Sequence, residues 1–178
     1  LARCLLKDSN PQQALRIAGR GLKKIRDEQL RVELNMVRID ALYEIPASRA
    51  EATRLYERFA EQYADQPLAA QARYMAALSA LENEQYAKAD QLADAFLRRN
   101  ADSELTPDVL FISGESRLLL GQHAEAVTRY EQFLKVGKQH TNYQQATVRL
   151  ALAWLMNEQP QKSIDLLASS ADRLTDRS

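Results

Sequence analysis

The feature that most constrains this chain is a phrase it writes more than once. Residues 86–97 read YAKADQLADAFL and residues 123–134 read HAEAVTRYEQFL, with Ala89 and Ala126 standing 37 positions apart. A further 37 back lies Ala52 in RAEATRLYERFA, and 37 on lies Ser163 in PQKSIDLLASSA. Ala14 in PQQALRIAGRGL stands 38 before Ala52, and Pro11 and Pro160 each precede their anchor by three residues. A fixed period of this length marks stacked copies of one supersecondary unit. Such a unit cannot bury its apolar face alone and needs a neighbour to cover it.

Each phrase reads as a helix. Val127, Tyr130, Phe133 and Leu134 fall on one face at helical spacing. Asn10 before Pro11 gives a cap and a first-turn proline, and Ser48 with Glu51 has the spacing of a capping box. A second helical segment precedes each phrase: QPLAAQARYMAALSAL, TPDVLFISGESRLLL and NYQQATVRLALAWLM. Thr106 is expected to cap the middle one, with Pro107 in its first turn. Ala77, Gly114 and Ala151 recur 37 apart in these segments, where two helices must approach closely. Glycine costs about 1 kcal/mol relative to alanine inside a helix, so Gly114 requires a packing reason. No alternating β pattern stands out, and the chain is expected to be all-α.

A length of 178 residues suits one domain. With 24 basic and 24 acidic residues the formal charge is zero, which gives no general attraction to nucleic acid. The basic stretch from Arg16 to Arg31 is interrupted by Asp27 and Glu28 and reads as a solvated face. One cysteine excludes an internal disulfide and a cysteine-based zinc site. No apolar run approaches the ~20 residues that span a bilayer, so no transmembrane insertion is expected. The first residue is Leu1 rather than methionine, as in a trimmed or excised piece.

Paired helices, a small residue in the first, an alanine early in the second and an aromatic four residues on resemble the tetratricopeptide repeat. The aromatic is Tyr56 and Tyr130 but Ala93 in the third copy, and the family's glycine before the second helix is Gly121 but Glu84 one copy earlier. The resemblance implies a single domain over 1–178, with a partial repeat at 1–24 and repeats at about 27–64, 66–101, 105–138 and 142–176. It implies an all-α, right-handed superhelical solenoid of antiparallel helix pairs whose first helices line a concave wall. Residues 56–89 are also similar to repeats of bacterial envelope proteins of the BamD and TolA-binding-coordinator type, with Tyr63-Ala64 where those carry Tyr-Pro.

Carried onto this chain, the family's groove positions are Gln71, Tyr74 and Leu78, then Asp108, Phe111 and Glu115, then Gln145, Val148 and Leu152. They imply a non-catalytic scaffold that holds a peptide or helical segment of a partner protein, with no cofactor. The closer similarity implies a bacterial envelope setting, periplasmic or outer-membrane-associated, with the cytoplasm as the other compartment. The alternative is a spacer, or a module that self-associates through its terminal repeats, since Leu1, Leu5, Leu6 and the helix KSIDLLASSADRL look uncapped. A carboxylate clamp of the chaperone-binding kind would need several cations on the wall, where only Arg149 stands.

Other chemistry is weaker. Cys4 lies ten before Ala14, as Ser79, Ser116 and Ala153 lie ten before their anchors, and is expected at a helix contact. His123 and His140 have no companions at ligand spacing and read as solvated. Gly114–Ser116 lacks the second glycine and the strand of a nucleophile elbow. Trp154 is expected in the core.

Overall fold

The computed structural model describes residues 1–175, with side chains to residue 171. Among these residues there is no strand. Ten α-helices follow one another: α1 (Ala2–Lys7), α2 (Pro11–Leu22), α3 (Glu28–Tyr43), α4 (Arg49–Gln62), α5 (Leu68–Glu82), α6 (Tyr86–Arg99), α7 (Thr106–Leu119), α8 (His123–Val136), α9 (Tyr143–Met156) and α10 (Pro160–Thr175). The repeat expected to end at 176 runs one residue past the described chain. No described helix is long and apolar enough to cross a membrane.

The chain divides into two compact units, residues 1–85 and 86–178. In the first, consecutive helices pack, and the odd-numbered ones also meet: α3 touches both α1 and α5. In the second, α6 to α10 pack in succession and α7 touches α9. First helices thus form an inner layer within each unit, with the second helices outside them.

The expected anchors are where the packing is tightest. Ala14, Ala52, Ala89 and Ala126 are fully buried, and Ser163 is 8% exposed. Phe59, Phe96 and Phe133, seven residues after their anchors, are buried as well. Ala77 and Ala151 are buried, and Gly114 has its packing reason: a Cβ there would lie 2.7 Å from the Tyr130 ring. That ring is itself completely enclosed.

Four of the turns share one conformation, whereas the α3–α4 turn closes through the 3-10 helix Pro46–Ser48. Glu84, Gly121 and Glu158, 37 apart, have φ of 59°, 74° and 58°, and Ser9 has 56°. Gly121 adopts this left-handed region without strain, whereas a residue with a Cβ does so at a cost of about 1–2 kcal/mol. The departure from glycine at Glu84 therefore leaves the turn unchanged in shape.

Local caps differ in part from expectation. Asn10 caps α2, its side chain accepting from the Gln13 amide at 3.3 Å. Asp27 caps α3 in the same way through the Leu30 amide at 2.7 Å. Ser48 makes no side-chain cap bond, so the capping box does not form. It closes a 3-10 turn (Pro46–Ser48) and already has helical backbone angles, φ −107° and ψ −1°, which point its hydroxyl away from the free amides. Thr106 is inside α7 and Leu105 is the cap; the Thr106 hydroxyl instead donates back to the carbonyls of Asn100 and Ala101. Arg31 donates to the carbonyls of Leu22 and Ile25, so this part of the basic stretch closes the end of α2.

Two glycine substitutions should have opposite signs in urea unfolding. Gly19 lies inside α2 with open space at its Cβ, so Gly19→Ala should stabilise by about 0.5–1 kcal/mol. Gly114→Ala should destabilise by roughly 1–3 kcal/mol, because the enclosed Tyr130 ring has nowhere to go.

Candidate functional site

The candidate positions on α7 share one face and are tied to the helices that follow. Asp108 in the first turn meets His140, with Oδ1 and Nε2 3.1 Å apart. The other ring nitrogen, Nδ1, accepts from the Asn142 amide at 3.2 Å, so Nε2 carries the proton and donates to Asp108. His140 was expected to be solvated; it is half-buried, and its ring meets that of Phe133 edge-on at 5.4 Å. His123 is half-buried at the start of α8.

Phe111 is half-buried between its neighbours. Its ring lies 6.1 Å from Tyr130 and 5.8 Å from Phe133, in edge and tilted arrangements that favour aromatic pairs. Glu115 gathers two donors on one oxygen: the Tyr130 hydroxyl and, at 3.0 Å, the Arg149 Nε of α9. Burial, then the Glu115 charge, pushes the Tyr130 hydroxyl well above the usual tyrosine range, so it stays a donor. Asp108 and Glu115 thus reach His140 and Arg149 beyond α8, while Phe111 packs on α8 of its own pair and its ring keeps part of its surface open.

The positions on α9 are more exposed. Gln145 is exposed, Val148 is 49% exposed and Leu152 37% exposed. On α5, in the other unit, Gln71 is exposed while Tyr74 and Leu78 are half-buried. Trp154 is partly buried against the unit 2 core, with the Lys162 ammonium 6.0 Å from its ring centre.

Two side-chain networks that the period does not reveal brace the second helices. In unit 2, Arg117 donates to Asp90 at 2.7 Å and to Asp94 at 3.0 Å, Arg129 also reaches Asp94, and Ser113 donates to Asp90 at 2.7 Å. Burial pulls the Arg117 pKa down, but the bond to Asp90 and the charges of Asp90 and Asp94 outweigh it. In unit 1, Tyr56 donates to Asp40 at 2.7 Å, the counterpart of Tyr130 and Glu115. The hydroxyls of Thr53 and Ser79, on α4 and α5, lie 2.7 Å apart.

The remaining chemical candidates offer no reactive group. Ser116 is fully buried and donates to the Ile112 carbonyl at 2.8 Å, so Gly114–Ser116 is helix packing. Cys4, expected at a helix contact, is exposed. Its counterparts Ser79, Ser116 and Ala153 are fully buried, and the Ser79 hydroxyl lies 2.7 Å from that of Thr53 on α4, the second helix of the preceding pair. Among the described residues no group of three or more His, Cys, Asp or Glu side chains could hold a metal ion.

Comparison with known proteins agrees with this architecture. Residues 108–136, covering α7 and α8, match the family model described as a tetratricopeptide repeat. The crystal structure of MamA superposes with a TM-score of 0.78 at 14% identity, covering 97% of this chain and 93% of that one. The tetratricopeptide-like repeats of a kinesin light chain from Podosopora anserina give 0.72 at 20% identity, covering 100% and 94%. YrrB, described as a tetratricopeptide protein with an unusual peptide-binding site, gives 0.73 at 15% identity, covering 99% and 84%. No curated protein sequence shows significant similarity to the chain. The class is therefore clear: an α/α solenoid of helical hairpins. The chain has the fold of tetratricopeptide-repeat proteins, and residues 108–136 match one such repeat.

The buried carboxyl of Asp40 gives a pH test. Burial raises its pKa above the ordinary 3.8, and the Tyr56 bond and Arg3 only partly offset that. The folded state then holds the proton more tightly than the unfolded state, so stability falls as pH rises upward from 3.8. Asp40→Asn should flatten this fall. Thermal melts between mild acid and neutral pH should show the two proteins converging at the acid end, with the variant more stable at neutrality.

Proposed function

We propose that the chain is a non-catalytic scaffold that holds a peptide or helical segment of a partner protein against the first helices of its repeats. One observation carries the reading. The family's groove positions keep open aromatic and aliphatic surface, at Tyr74 and Leu78 on α5 and at Phe111, Val148 and Leu152 on α7 and α9. Gln71, Asp108, Glu115 and Gln145 add polar groups beside them. Apolar anchors with a few polar neighbours suit a segment that brings its own backbone hydrogen bonds, as a helix does. The peptide-binding description of YrrB supports the same class of partner.

The chain acts as one array of repeats over 1–178, and its setting is a bacterial envelope assembly, periplasmic or at the outer membrane. This setting draws on the similarity of residues 56–89 to envelope repeats. The balance of 24 basic and 24 acidic residues favours a protein partner over nucleic acid. The alternative reading, a self-association module, draws on the apolar face of the last hairpin.

Tyr74→Ala and Phe111→Ala test the groove. Immobilised protein should retain a partner from a bacterial envelope fraction, and each variant should retain at least tenfold less. Helix content by circular dichroism should be unchanged, and Phe111→Ala should lose roughly 1–2 kcal/mol of stability from its ring contacts. Full retention by both variants, or loss of the helix signal in both, would remove the groove assignment.

A further inference from the structure

A cavity of about 510 Å³ lies between α2, α3 and α4, inside unit 1. Its outer walls are backed by further helices, with α1 packed on α2 and α5 on α4. Lys23 stands at the end of α2, Arg31, Asn35 and Arg38 on α3, and Gln62 and Tyr63 at the end of α4. Gly19 opens the α2 wall, since nothing lies within 4 Å of where a Cβ would be. Among the described residues no carboxylate lines the space. Three cations and three neutral hydrogen-bonding groups therefore face it without an acid between them.

The positive charge is local. Pro11 to Arg38 holds seven basic residues and three acidic ones, in a chain that is balanced as a whole. The repeat does not require it, because one period on Gly19 and Lys23 become Glu57 and Glu61. Arg31 has a packing task at the carbonyls of Leu22 and Ile25, and its neighbour Glu28 is 3.9 Å away and largely in water. Arg38 has no such task. Its half-buried guanidinium makes one bond, from Nε to the Asn35 Oδ1 at 3.4 Å, and pairs with no acid among the described residues. Lys23 is exposed and equally unpaired among them. A guanidinium with most of its donors unused and part of its hydration removed is a ready receptor for a carboxylate. The helix-end carbonyls, which would repel an anion, are already met: those of α2 by Arg31, and the Ala60 carbonyl of α4 by Arg73 at 3.2 Å.

We propose that this cavity binds an acidic segment of a partner protein, with carboxylates set against Arg38 and Lys23 and Arg31 beside them. The cations are spread rather than gathered. Arg31 and Arg38 are seven residues apart, roughly 10 Å along α3, and Arg31 is pinned at the end of α2. An extended chain at about 3.1 Å per residue brings every third side chain to one edge, about 9 Å apart. Acids at that spacing meet both guanidinium groups, whereas a single phosphate meets one. Asn35, Gln62 and Tyr63 supply donors and acceptors for the backbone of such a segment. None of these residues is among the groove positions on α5, α7 and α9, so the site is a second one and independent of the groove reading.

Fluorescence anisotropy of the full chain with a labelled peptide of repeating Glu-Ser-Ser, at low ionic strength, tests the site. The same peptide with glutamine for glutamate should bind at least tenfold more weakly. Arg38→Gln and Lys23→Gln should each raise the dissociation constant at least fivefold. Arg26→Gln, exposed in the same basic stretch but outside the cavity, should change it less than about twofold. Circular dichroism should show the helix content unchanged; if Arg38→Gln disturbs it, Lys23→Gln, whose side chain is exposed, decides. Inorganic phosphate at a concentration matched to the peptide should fail to displace it. Absence of binding, equal losses in all three variants, or displacement by matched phosphate would each overturn the proposal. Equal losses would mark diffuse attraction to the basic stretch, and displacement would mark a phosphate site.

Discussion

The ring of Tyr130 lies across the backbone of Gly114, in space that any side chain at 114 would occupy. That contact closes α7 on α8, and it places the tyrosine hydroxyl beyond α7, where Glu115 receives it. Glu115 in turn holds Arg149 of the next hairpin. One close approach therefore couples the closing of a hairpin to its stacking on a neighbour. Both steps are necessary, because a hairpin alone leaves its apolar face in water. The buried alanines at 52, 89 and 126 act similarly, letting backbones come near without a void.

The architecture was legible because it depends on residues that recur. Anchors at 14, 52, 89, 126 and 163 and small residues at 77, 114 and 151 obey one period, and all are buried. What escaped the sequence does not recur in adjacent copies. The Tyr130–Glu115 bond has apolar counterparts one copy either side, Ala93 with Leu78 and Leu167 with Leu152, so periodicity conceals it. The Arg117–Asp90–Asp94–Arg129 network likewise joins two copies through arginines that do not recur at the period. His140 lies in a polar loop sequence, and only the turn of the chain toward Asp108 and Phe133 takes it out of water. Cys4 obeys the period but is exposed where its counterparts are buried, so register alone does not fix burial. Ser48 had the spacing of a cap and lost the role to a 3-10 turn.

The candidate site shows the same dependence on context. Equivalent positions on α7 and α9 have different surroundings: Phe111 packs on α8 and Glu115 holds Arg149 of α9, whereas Val148 and Leu152 are exposed. A repeat protein thus makes binding surface and packing surface from one set of positions, and neighbours decide which is which. Register sets the candidate positions, whereas the contacts made at them depend on neighbours that register does not specify.

The most direct measurement of this account is a double-mutant cycle at the contact on which it rests. Gly114→Ala and Tyr130→Leu together give the fourth copy the pair found in the fifth, Ala151 with Leu167. If the ring is what requires a glycine, Tyr130→Leu should relieve the cost of Gly114→Ala, with a coupling of about 1 kcal/mol or more in equilibrium unfolding. Strict additivity of the two substitutions would contradict it, because the glycine would then serve something other than the tyrosine.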